Sequence, residues 1–398
     1  MGNAFGSLCV KQYKQFWNGF STIIQIDIFC ITTIIVRKHG VLQIHIVVHT
    51  ERGLKMQEKM NAVVLKDEGK FAIEEKPVPK IKKDNEILIR IDICSICGSD
   101  MMILRNPPGY PAKTGITIGH EMVGTVLEVG AGVTSFQPGD RVVCDNNMPC
   151  GQCYFCRTGH ASMCEHLKCL GFDDDGFFAQ YAVVPDSLAV QIDKDIPLET
   201  AIFTEPLNCV MSGANKVRLM PGETVVVIGA GAIGLYFIQL MKLNGAGKVI
   251  SVEPTEFRRE YAGNMGADVV VSPQEADEAV KEATKGLGAD VVIDAVGFCI
   301  KDAIRFARSS GRILLFGLNM AATQEICQSQ ITRKDLTVYG SYIGTYTWHN
   351  TIQMLANIPM KLEDMITHRL TLEEFGVGFE AMRDGSALEV VMYPNGRP

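Results

Sequence analysis

Three side chains in one short stretch could hold a reactive metal. Cys97, His120 and Glu121 offer a thiolate, an imidazole and a carboxylate. An open zinc site uses such a set: fewer than four fixed strong ligands, with one position left for water or substrate. Ser99, two residues from Cys97, adds a hydroxyl that could pass a proton beside the metal. Taken alone, a buried cysteine and a core histidine read equally well as packing. Three later features weigh against packing: a second cysteine cluster, a Glu205-Pro206-Leu207 triplet and a glycine-rich turn at 229–234.

The second cluster is Cys150, Cys153, Cys156 and Cys164. Four thiolates in one loop, three of them at C-x2-C spacing, suit a closed tetrahedral structural zinc. The loop has little apolar content, so metal would supply its order. Cys144 and Cys169 flank the cluster and are not expected to be ligands.

The glycine-rich turn reads Gly229-Ala230-Gly231-Ala232-Ile233-Gly234. An apolar strand (Glu223–Ile228) precedes it, an apolar helix (Leu235–Leu243) follows, and a second strand (Lys248–Val252) ends at Glu253. That context makes it a dinucleotide-binding turn. Gly229 allows the tight bend, Gly231 lets the pyrophosphate approach and Gly234 allows close helix packing. The phosphates would meet helix N-terminal amides. Ile233, inside the turn, is counted with the cofactor-binding residues. Glu253 should accept hydrogen bonds from ribose hydroxyls and repel a 2′-phosphate, which favours NAD over NADP. Arg258 and Arg259 follow; either could receive a phosphate, or both could form a solvated helix face. Arg258 is kept as a cofactor contact, although the solvated face is the favoured reading. By contrast, Gly130-Ala131-Gly132 lies between strands and reads as a tight turn.

These groups need elements to hold them. The alternation at 85–93 predicts a strand leading directly into Cys94 and Cys97, after strands at 62–65 and 71–74. Further strands are expected at 268–271, 290–296 and 312–316, alternating with helices, which implies a doubly wound parallel sheet. A last strand is expected from Thr337 and a helix at 348–356. Tyr342, Tyr346 and Trp348 stand where they could border the pocket or simply pack. His368 is read as structural.

The run Gly119-His120-Glu121-x-x-Gly124-x5-Gly130-x-x-Val133 resembles the signature of the zinc-containing alcohol dehydrogenases. Cys97-Gly98-Ser99-Asp100, the four-cysteine lobe and the nucleotide turn stand in that family's order. The chain is similar to the zinc-dependent medium-chain dehydrogenases, in the sorbitol, butanediol and threonine dehydrogenase branch, from about residue 60 onward. The resemblance implies an α/β architecture: a GroES-like β-rich catalytic domain (56–205), a Rossmann NAD-binding domain (206–340) and a return to the catalytic domain (341–398). It implies Cys97, His120 and Glu121 as zinc ligands, with Glu205 near the metal or bonded through water, and leaves Glu121 and Glu205 unranked. Glu205 also reads as a helix N-terminal carboxylate followed by Pro206 at the first helical position. The implied activity is reversible oxidation of a secondary alcohol or polyol to its ketone, zinc acting as Lewis acid and Ser99 relaying the proton. Threonine, a sugar phosphate or a bulky hydroxysteroid are alternative substrates; a non-catalytic zinc- and NAD-binding protein is the alternative from another class. A homo-oligomer, dimer or tetramer, is expected. One departure is Met101-Met102-Ile103, where many relatives carry a histidine.

Bulk properties narrow the field. The 398 residues leave room for two or three domains, and the 47% hydrophobic content allows a sizeable core. A net charge of −7 speaks against a protein held to nucleic acid by phosphate contacts. The 13 cysteines, an odd number with short spacings, suit metal binding in a reducing cytoplasm better than a disulfide scaffold. Residues 1–55 stand apart. Their apolar run, 20–36, is shorter than the roughly twenty residues of a membrane span and carries Gln25 and Asp27. No membrane partner is expected. The segment reads as an extension outside the fold, with translation starting at Met56 or Met60 behind a purine-rich Glu51-Arg52-Gly53 stretch.

Overall fold

The computed structural model describes residues 30–38, 41–49 and 57–397. In the N-terminal unit, Met1–Gln57, Cys30–Lys38 and Val41–His49 pair as an antiparallel hairpin. The rest of the stretch expected to stand outside the fold lies outside the described residues.

The unit Glu58–Pro398 is built on two large sheets. The first has seven strands. The Glu86–Ser95 strand lies at its centre, with Glu121–Val129 on one side and Glu389–Tyr393 on the other. Ile87, Ile89, Ile91 and Ile93 recur at period two and are fully buried, while Arg90 and Asp92 pair at 2.8 Å between them. The expected strand at 85–93 is therefore present, extended by two residues into the metal-site stretch.

The second sheet has six parallel strands in the order Val269–Val271, Lys248–Val252, Thr224–Ile228, Ala289–Asp294, Ala307–Leu315, Thr337–Gly340. Numbered along the chain this is 3-2-1-4-5-6, the doubly wound dinucleotide-binding order. Central strands such as TVVVI read as unbroken apolar runs because helices cover both faces. The chain reverses between Thr224–Ile228 and Ala289–Asp294, and ligands of such sheets bind in that crevice.

Two boundaries differ from expectation. The helix carrying Glu205 spans Thr204–Val217, so Pro206 is its third residue, not its first. Pro is harmless there because no N–H in the first turn has an intrahelical partner. The last parallel strand stops at Gly340, which frees Tyr342 into a loop.

Candidate active site

Cys97 ends the Glu86–Ser95 strand region and caps the short helix Gly98–Ile103. Its N–H donates to Asp100 Oδ2 at 2.9 Å, which fixes the first turn. Gly119 (φ 93°) has no room for a Cβ beside the Phe178 ring, so only glycine can deliver His120 at this point. Glu121 opens the strand Glu121–Val129 and pairs in register with Ser95, whose hydroxyl donates to its carboxylate.

The ligand atoms of Cys97, His120 and Glu121 all lie within 4.8 Å of one another. Asp100 Oδ1, fully buried, stands 3.2 Å from His120 Nδ1. A carboxylate behind one ring nitrogen leaves the other to face a metal and sets its basicity. Neither of these two buried atoms has an aligned hydrogen bond. Burial, then the charge of Glu121, pushes the Cys97 thiol up to about 12, and burial raises Glu121 as well. Burial opposes charge on the His120 ring, yet Asp100 and Cys97 outweigh it and raise the ring's pKa. A thiol, an imidazole and a carboxyl converging in a buried spot, with no basic side chain among them, is a donor set that fits zinc.

Glu205 is brought to the same region but not into that trio. Its carboxyl, nearly buried, is pushed up to about 8 by burial and by the charge of Glu121. Ser99 sits half-buried in the first turn after Cys97. Met101 packs on the catalytic core, and Met102 lies against Gly109.

The second cysteine group also converges. The sulfurs of Cys150, Cys153, Cys156 and Cys164 lie within 4.8 Å of one another. Backbone N–H groups point at them: Cys150 and His166 donate to Cys164 Sγ at 3.2 and 3.3 Å, and Cys153 donates to Cys150 Sγ at 3.4 Å. Such donors favour thiolate over thiol; amides of Cys156 and Glu165 bring Cys153 down to about 6. The donor set and its amide cradle fit a structural zinc. Cys144 and Cys169 stay outside the group, as expected.

In the parallel sheet, Gly229 (φ 91°) makes the bend after Thr224–Ile228, and Gly231 caps the helix Ala232–Leu243. A Cβ on Gly234 would collide with the Gly229 carbonyl, whereas one on Gly231 would meet nothing nearer than Arg258 Nη1 at 3.8 Å. The turn is thus tight where it packs and open where a pyrophosphate would approach. Ile233 is half-buried in the first turn of that helix. Glu253 is 3% exposed; its oxygens accept the N–H groups of Ala230 (2.8 Å) and Thr255 (2.9 Å). A carboxylate offers about four lone-pair sites, so acceptor capacity remains.

Arg258 departs from the favoured sequence reading. It is half-buried, its Nε has no hydrogen-bond partner, and its guanidinium reaches over the glycine turn. Arg259 instead donates to the backbone carbonyls of Glu253 and Pro254.

Several residues at the site were not singled out by sequence. Asp100 carried a local signal, standing three residues after the capping Cys97. Ser95, Phe172 (ring centroid 5.3 Å from His120) and Tyr110 carried none. Tyr342 hydrogen-bonds Tyr110, Tyr346 is 72% exposed, and Trp348 is buried with its Nε1 donating to Asp145 at 3.0 Å. His368 lies in the strand Ile366–Thr371, with its Nδ1 3.0 Å from Thr367 Oγ1.

Comparison with known proteins bears on this arrangement. Residues 83–194 match the alcohol dehydrogenase GroES-like domain, and residues 232–357 match the zinc-binding dehydrogenase family. The chain is 37% identical over 353 residues to an L-threonine 3-dehydrogenase of Caldanaerobacter subterraneus, covering 85% of this chain and all of that one. The chain belongs to the zinc-dependent medium-chain alcohol dehydrogenases. A sorbitol dehydrogenase of Halalkalibacterium halodurans is 32% identical over 333 residues, 82% of this chain and 96% of that one. Among solved structures, an alcohol dehydrogenase of Thermus sp. ATN1 superposes with a TM-score of 0.78 at 29% identity, over 84% of this chain and 99% of that one. This dehydrogenase is therefore an oxidoreductase of alcohol and polyol CH–OH groups, with a GroES-like domain and a Rossmann sheet. Among the described residues, no helix is long and apolar enough to cross a membrane.

Proposed function

We propose that Cys97, His120 and Glu121 bind the catalytic zinc and that Glu205 acts as the outer carboxylate of the same site. The convergence of the three ligand atoms carries this reading. Zinc held there supplies Lewis-acid polarisation of an alcohol oxygen, and the nicotinamide supplies the hydride acceptor. The chain's own residues do the rest. Asp100 orients the His120 ring, Ser95 holds Glu121, and Ser99 takes the substrate proton toward solvent. Phe172 covers His120 and excludes water. Glu205, poised near neutrality, exchanges a proton beside the site.

Cys150, Cys153, Cys156 and Cys164 hold a structural zinc. NAD binds across Gly229, Gly231, Ile233 and Gly234, with Arg258 on its pyrophosphate and Glu253 on its adenosine ribose. The buried negative charge of Glu253 favours NAD over NADP. The working division of the chain is 56–205 catalytic, 206–340 coenzyme and 341–398 returning to the catalytic sheet, with 1–55 an extension. A homo-oligomer in the cytoplasm fits the family.

The substrate is a secondary alcohol or polyol. Threonine is the second reading, favoured by the name of the 37% identical relative. The test is NADH absorbance at 340 nm with zinc-loaded enzyme, NAD or NADP, and a panel of polyols, diols and threonine. The Cys97→Ser variant runs beside it. Turnover that the variant loses supports the assignment; turnover that it keeps rejects the metal site.

A further inference from the structure

A cavity of about 490 Å³ opens beside the cysteine lobe, with Met163, Cys164, Tyr110 and Tyr342 in its lining. Phe172 forms part of its wall, and that ring also packs on His120 and, at 5.5 Å, on Tyr110. The cavity is thus one aromatic ring away from the reacting centre. Tyr110 comes from the loop after Gly98–Ile103, and Tyr342 from the loop after the edge strand of the parallel sheet. Their hydroxyls meet at 2.9 Å. In such a pair one phenol donates to the other, which keeps its own proton for a third partner. Burial and the neighbouring phenol hold Tyr342 well above its ordinary pKa, so its phenol keeps its proton and is suited to another hydroxyl.

The loop that presents Tyr342 is fixed at a cost. Ile343 (φ 44°) and Tyr346 (φ 56°) are both left-handed, which a β-branched isoleucine rarely adopts. Between them, Gly344 is wedged against Asn208, where no Cβ would fit. Thr347 Oγ1 donates to Asn208 Oδ1 at 2.5 Å. Asn208 belongs to the helix that carries Glu205, so the loop is pinned to the site.

We infer that Tyr110 and Tyr342 are specificity-determining residues whose phenol pair hydrogen-bonds a substrate hydroxyl remote from the reacting carbon. The inference deepens the proposed function and rests on it: the preferred substrates are open-chain polyols over simple monoalcohols.

Tyr110→Phe, Tyr342→Phe and the double variant are compared with the unmodified zinc-loaded enzyme on sorbitol and 2-hexanol. Each single variant raises KM for sorbitol roughly tenfold, the usual effect of one hydrogen bond, with a smaller change in kcat. For 2-hexanol kcat/KM moves less than about threefold, and the double variant adds little because the phenols act as a unit. Equal losses on both alcohols, or no loss on sorbitol, overturn the inference. Calorimetric titration of sorbitol into the enzyme with NADH gives a second readout, with Kd weakened by the same factor. Should no alcohol turn over, the proposed function fails, and the titration still decides: binding weakened in Tyr342→Phe upholds the pair, and no binding rejects it.

Discussion

Cys97 sits where ionisation is hard. Its thiol is pushed up to about 12 by burial and Glu121, so a metal ion entering the trio must expel protons. Zinc affinity of the metal-stripped protein is therefore expected to rise steeply with pH between about 6 and 8. Competition against a fluorescent chelator checks this, and a flat affinity would contradict the ligand set. Asp100 makes no contact with the metal position but holds His120. Asp100→Asn keeps the shape and removes the charge; a loss of roughly 10- to 100-fold in zinc affinity is expected, read by the same competition. At this scale the sequence was half legible. The trio at 97, 120 and 121 that the structure brings together could be picked out from residue type. Glu205 and Glu121 could not be ranked, because the 83 residues between them decide which carboxylate reaches the thiol. The two readings of Arg258, cofactor contact and solvated face, could not be ranked for the same reason: its place over Gly231 depends on how the helix Glu256–Asn264 docks.

At the scale of elements, the cysteine lobe and the glycine turn were legible because each is local. The lobe's sulfurs come from one stretch of fifteen residues, and the turn sits between a strand and the helix it feeds. Backbone amides aimed at sulfur tie the lobe's conformation to its thiolates, and so to the zinc proposed there. Cys153→Ser is expected to lose one zinc per chain by elemental analysis. It should also lower the melting temperature, while NAD binding to the parallel sheet, followed by calorimetry, persists. Loss of NAD binding as well would show that the lobe supports the whole molecule. The loop bearing Tyr342 was not legible. Nothing in Ser341–Tyr346 announces a left-handed isoleucine; its conformation is imposed by Asn208, more than a hundred residues away.

For the whole molecule, the telling feature is buried acid. Glu205 and Glu389 are each pushed up to about 8, burial first and the charge of Glu121 second, and Tyr236 donates to Glu389 from the coenzyme helix. Below the ordinary 4.5 both the folded and unfolded chains keep these protons. Between 4.5 and about 8 only the folded chain does, so each rise in pH disfavours folding; above about 8 the penalty is complete. The metal-free protein should therefore melt at progressively lower temperature from pH 5 to pH 8, by calorimetry, and Glu389→Gln should flatten that slope. A flat profile would mean that both acids are already ionised when folded. The contact between Tyr236 and Glu389 was invisible beforehand, since the two stand 153 residues apart.

The strand Glu389–Tyr393 lies beside Glu86–Ser95, with Val391 opposite Ser95 and Met392 opposite Cys94. Ser95 is the residue that holds Glu121. The six parallel strands leave the ribosome in sequence, each with its neighbour to hand. The first sheet must wait: the end of its central strand, Cys94 and Ser95, lacks its partner strand until the parallel sheet has been made. In the cell this dehydrogenase should therefore pass through a stage with a nucleotide-binding half already formed and an alcohol-binding half still open at the seam, the interval in which chaperones and proteases have their opportunity.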